Sequence, residues 1–142
     1  MRQGRTTSSL VGLALFSGSS LYLEIALTRL LATVYYPPYV FAAISLAILG
    51  IGLGAALASW RTALRQETRV ASYMSLAGLG ALILVAFVVG TAAYDLQPLL
   101  FALTTLPYVF AGLALAAIFA LAPDDSPRLY MADLLGAGAG NT

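Results

Sequence analysis

The chain has 142 residues, of which 61% are hydrophobic and 9% charged, with a mean hydropathy of +0.91 and a net charge of +1. A soluble domain carries about 25% charged residues, so these values mark an integral membrane protein. The sequence has neither Cys nor His, which excludes a structural zinc site, an iron–sulfur cluster, a His-ligated haem, a Cys nucleophile and a Ser–His–Asp triad. The near-neutral charge offers nucleic acid no bulk attraction.

A helix needs about 20 apolar residues to cross roughly 30 Å of hydrocarbon. Four stretches qualify, at about 8–31, 39–60, 71–93 and 99–121. The expected fold is therefore all-α: a four-helix transmembrane bundle, followed by the start of a fifth helix over 128–142, in a single transmembrane domain spanning 1–142.

The first span contains two full charges, Glu24 and Arg29. Each costs about 2.5–3.5 kcal/mol at a helix centre on insertion scales. Ser17, Ser20, Glu24 and Thr28 recur at helical spacing and form one polar stripe. That stripe is either a proton or cation site facing a bundle interior, or a contact between helices. Arg29 lies five residues beyond Glu24, about 140° around the helix, so the two are poorly placed to pair. Arg29 is close enough to the span's end to snorkel. A secretory signal peptide is a competing reading of Arg2, Arg5 and the apolar run 10–16. Against it, apolar character resumes after Ser20 and no A-x-A site follows at the right distance.

Pro37-Pro38 breaks the chain between the first two spans and favours extended backbone at Tyr36. The second span carries Gly50-Ile-Gly52-Leu-Gly54-Ala55, which fits the dinucleotide fingerprint G-x-G-x-x-A. That fingerprint requires a strand before it and a soluble βαβ unit around it. Here the glycines sit inside a long apolar run. They read better as a small-residue stripe of Ala43, Ala47, Gly50, Gly54 and Ala58, with Gly50 and Gly54 forming a G-x-x-x-G contact.

Arg61 to Arg69 is a polar link. Its arginines read as topology determinants with some contact to anionic lipid. In the third span, Ser75, Gly78 and Leu82 suggest another packing face. After the turn at Asp95–Pro98, the fourth span contains Pro107. This should kink the helix after Thr104 and Thr105, whose hydroxyls can cover the freed carbonyls. Gly112 offers a second close approach. Tyr35, Tyr36, Tyr39 and Trp60 sit at span ends, as an aromatic belt does.

Arg2, Arg5, Arg61, Arg65, Arg69 and Arg128 all fall on one side of a four-span topology. The positive-inside rule makes that side cytoplasmic and puts both ends there. The apolar run over 129–139 opens a fifth helix too short to span. It is expected to be the beginning of a helix in a longer protein, the alternative being a re-entrant or interfacial helix.

Several segments together resemble a family. FSGSSLYLEIALTRLLA (Phe16–Ala32) resembles the opening helix of bacterial membrane-bound spermidine synthase-like proteins. SLAILGIGLGAALAS (Ser45–Ser59) looks like their glycine-rich second helix. Leu106-Pro107-Tyr-Val-Phe-Ala-Gly112 resembles their later L-P…G helix. Leu129-Tyr130-Met-Ala-Asp133-Leu-Leu-Gly136-Ala resembles their Y-x-A-D-L-x-G-A segment. The four come in the family's order and cover most of the chain.

The resemblance implies a membrane region that continues into a cytoplasmic Rossmann-like aminopropyltransferase domain, which uses a decarboxylated S-adenosylmethionine donor and a polyamine acceptor. No such domain lies within these residues, so no catalytic residue, cofactor or metal is assigned. Glu24, Arg29 and Asp133 are then the membrane-embedded charged candidates, fixing helix packing or docking the missing domain. Gly50, Gly54, Pro107 and Gly112 are the packing candidates. The expected partners are the lipid bilayer of the bacterial inner membrane, neighbouring helices or the C-terminal domain, and a second copy in a homo-oligomer. Two other classes fit the same residues. One is a small proton-coupled multidrug exporter with Glu24 as its coupling site. The other is an accessory subunit that packs through its glycine faces in a larger complex.

Overall fold

The computed structural model describes residues 2–34, 37–90 and 97–141. Among these residues there are five α-helices and no strand: α1 (Arg2–Val34), α2 (Pro37–Trp60), α3 (Glu67–Gly90), α4 (Gln97–Leu121) and α5 (Ser126–Gly140). Short 3-10 turns over Thr62–Leu64 and Pro123–Asp125 lead into α3 and α5. The expected all-α architecture is present, and four helices are long and apolar enough to cross a membrane. Pro37 and Pro38 do not merely precede α2 but open it. The first turn of a helix tolerates proline because its N–H groups have no intrahelical acceptor. Tyr35, Tyr36 and Asp95 lie outside the described residues.

The chain divides into two compact units. The larger, Leu27–Leu121, holds the end of α1 with α2, α3 and α4. Its core gathers Leu27, Leu31, Ala43, Leu84 and Val88, with Leu30, Val40, Phe87 and Leu103 packed against them. Helix α4 packs on both α2 and α3 and is the most enclosed of the long helices. Of its most apolar stretch 44% is buried, against 22% for α2 and for α3. Ala111, Gly112, Leu113, Ala114 and Ala117 make this possible, because four of the five side chains are a methyl or nothing.

The small-residue stripe of α2 is its packing face: Ala43, Ala47, Gly50, Gly54 and Ala58 are all buried. Gly50 lies over Thr105 and Tyr108, and Gly54 over Val109, Gly112 and Leu113. The numbering rises together on both helices, so α2 and α4 run in the same direction. Gly80 of α3 meets Pro107, while Phe87 and Leu103 join the same core, so α3 runs opposite to α4. Helix α4 is continuous through Pro107.

The face expected on α3 is not the one used. Gly78 has nothing within 4 Å of where a side chain would begin, and Leu82 is 70% exposed. The buried residues are Tyr73, Ala77, Leu84 and Val88. Of these, Leu84 and Val88 fill the core shared with Leu27, Leu31 and Ala43, space that smaller side chains would leave empty.

Outside these contacts the long helices present Val11, Leu15, Phe41, Ile48, Leu79 and many other apolar side chains outward. Their hydroxyl groups are covered locally. Ser45 donates to the Phe41 carbonyl, Ser59 to Ala55 and Ser75 to Ala71, each at 2.9 Å. A serine that returns its hydrogen bond to its own helix leaves no exposed donor, which is what an apolar surrounding requires.

Candidate functional site

The smaller unit comprises Met1–Ala26 and Ala122–Thr142, and so contains most of α1 together with α5. Pro127 falls in the first turn of α5, and Arg128 pairs with Asp125 at 3.6 Å on the surface. Beyond that turn the helix carries Leu129, Asp133, Gly136 and Gly140 at spacings of three and four, which set them along one stripe. Leu129 and Gly136 are buried.

This stripe lies on Ala14, Ser17 and Gly18 of α1. A Cβ at Gly136 would overlap the Ala14 backbone, and one at Gly140 would overlap the Gly18 backbone. A Cβ at Gly18 would press on the Gly136 carbonyl oxygen. Ala14-x-x-x-Gly18 and Gly136-x-x-x-Gly140 therefore interlock as two small-x-x-x-small faces. The paired numbers rise together, so α1 and α5 run in the same direction.

Backbones this close bring short polar side chains within reach of one another. Ser17, 8% exposed, donates its hydroxyl to Oδ1 of half-buried Asp133. Asp133 thus has a defined partner across the crossing. The bond ties the two helices together beside their glycine contacts. Among the described residues no three His, Cys, Asp or Glu side chains come together to hold a metal.

The other two embedded charges are placed differently. Glu24 is half-buried and has no hydrogen-bond or ion-pair partner among the described residues. Arg29 is exposed and does not pair with Glu24. The three charged candidates therefore do not form one constellation.

Of the packing candidates, Gly50, Gly54 and Gly112 form the centre of the α2–α4 crossing, and Pro107 faces Gly80. Sequence reasoning placed Ser17 on the polar stripe without naming its partner, and it left Gly18, Gly136 and Gly140 unassigned. The signal was present as two four-residue small-residue spacings 122 residues apart (14 to 136, and 18 to 140). Arg65, read as a topology determinant, also closes the end of α2. Its Nε donates to the Ala58 carbonyl at 2.6 Å and its terminal nitrogen to Ser59 at 2.9 Å.

No family model, no curated protein and no solved structure matches this chain.

Proposed function

We propose that the chain is the multi-pass membrane domain of a spermidine synthase-like protein. It has no catalytic role of its own and holds a cytoplasmic aminopropyltransferase-like domain at the bacterial inner membrane. The observation that carries this reading is how the four resembling segments pair. The Phe16–Ala32 segment supplies Ser17 and Gly18, which meet Asp133 and Gly136 of the Y-x-A-D-L-x-G-A segment. The glycine-rich segment supplies Gly50 and Gly54, which meet the residues from Thr105 to Leu113 around the L-P…G segment. The resembling segments thus lie against one another in pairs, through the small-residue faces that let helices approach closely.

Helix direction supports the membrane placement. Successive crossings of a bilayer must alternate, so first and fifth helices run alike and so do second and fourth. Both pairs do so here. With Arg2, Arg5, Arg61, Arg65, Arg69 and Arg128 on one side, the N-terminus and the start of α5 are cytoplasmic. At 15 residues, α5 extends about 22 Å, less than the roughly 30 Å of a bilayer's hydrocarbon core.

Reading the gene beyond Thr142 tests the proposal. We expect an open frame that continues through more apolar helices into a glycine-rich α/β domain. A stop codon directly after Thr142 would overturn it.

A further inference from the structure

We propose that the corner where α2 ends is a binding site for the headgroup of an anionic phospholipid, with Arg61 as its cationic contact; this rests on the membrane reading above. Leu57, Trp60, Arg61 and Leu64 line an open cleft of about 540 Å³. Three of its four lining residues are apolar, suited to the glycerol and upper acyl region of a lipid, and the fourth is Arg61.

The two arginines at this corner have separate tasks. A helix C-terminus carries partial negative charge on its unpaired carbonyls and repels an anion. Arg65 removes that obstacle by donating to the Ala58 and Ser59 carbonyls at 2.6 and 2.9 Å. The Arg61 backbone N–H covers the Leu57 carbonyl at 3.0 Å. With the helix end closed, the Arg61 guanidinium is exposed and has no partner among the described residues. A planar guanidinium offers two parallel donors, which match two phosphate oxygens.

Trp60 completes the site. It is 87% exposed at the end of an apolar helix, where an indole sits at headgroup depth. A water-soluble anion would gain nothing from Leu57, Leu64 and Trp60, whereas a lipid covers all three. Charge and apolar lining together select a phospholipid with a net negative headgroup.

Trp60 is the chain's single tryptophan, so its fluorescence reports on this cleft alone. The test uses the full chain in bilayers of phosphatidylcholine with a minor fraction of brominated phosphatidylglycerol, or the same fraction of brominated phosphatidylcholine. One basic residue near a membrane surface corresponds to about fivefold local enrichment of an anionic lipid. We expect quenching by the brominated anionic lipid to reflect that enrichment. It should fall clearly in R61Q. Inorganic phosphate should not relieve it. Equal quenching by the two lipids, an unchanged excess in R61Q, or relief by inorganic phosphate would each overturn the lipid site. Absence of quenching by either lipid would instead overturn the membrane placement of α2.

Discussion

Ser17 of α1 donates its hydroxyl to the carboxyl of Asp133 of α5, across 116 residues of chain. Around that bond the two helices touch backbone to backbone at Ala14, Gly18, Gly136 and Gly140. Close approach and hydrogen bond depend on each other: larger residues at 18 or 136 would push the helices apart and strand both polar groups.

A double-mutant cycle on this pair should show coupling. Polar contacts between membrane helices average about 0.6 kcal/mol and reach about 1.7. A hydroxyl donating to a carboxyl at a glycine crossing belongs near the upper end. Ser17→Ala and Asp133→Ala should each lower stability in detergent, and the double variant should cost about 1 kcal/mol less than their sum. Additive losses would mean that the bond contributes nothing.

The glycines divide into two groups with opposite expected signs. A Cβ at Gly54 would overlap the Val109 carbonyl and the Leu113 amide, so Gly54→Ala should destabilise by about 1–3 kcal/mol through overpacking. Gly52 has nothing within 4 Å of its Cβ position, so Gly52→Ala should stabilise by about 0.5–1 kcal/mol through helix propensity. Thermal unfolding of both variants in one detergent checks the contrast. The same ordering should hold for Gly136→Ala against Gly138→Ala in α5.

Tyr73 carries a buried hydroxyl with no hydrogen-bond partner among the described residues. A buried polar atom without a partner carries a desolvation penalty of about 1–3 kcal/mol. Tyr73→Phe keeps the ring and removes the penalty, so its unfolding midpoint should rise. A lower midpoint would show that the hydroxyl is bonded.

Arg65→Gln removes two hydrogen bonds from the last carbonyls of α2 and should cost about 1–3 kcal/mol. Arg61→Gln should leave unfolding unchanged, because its guanidinium has no partner among the described residues. Comparing the two unfolding curves separates the structural arginine from the available one.

Glu24→Gln should leave resistance of expressing cells to cationic dyes unchanged if the chain is a domain that positions an enzyme. Loss of resistance would favour a proton-coupled exporter with Glu24 at its centre.

The helices and their packing stripe on α2 were legible in the residues. Apolar runs of about 20, broken by Pro37-Pro38, by the 61–69 link and by the turn near Pro98, define four long helices without reference to anything distant. The alanines and glycines from Ala43 to Ala58 marked a face because helical spacing is a local property. Choosing the face of α3 failed for a related reason. Ser75 and Gly78 on one face, and Tyr73, Ala77, Leu84 and Val88 on the other, both recur at helical spacing, and only the surfaces of the neighbouring helices decide which side fits.

Composition and local periodicity determined that this chain is helical, where its long helices lie, and which residues carry charge within them. The tertiary structure alone decided that Asp133 belongs with Ser17 and not with Glu24, and that Gly18 belongs with Gly136. Many small-residue faces in one chain are interchangeable in sequence. Which two interlock is settled by the match of their surfaces and by a hydrogen bond that only the correct pairing can form.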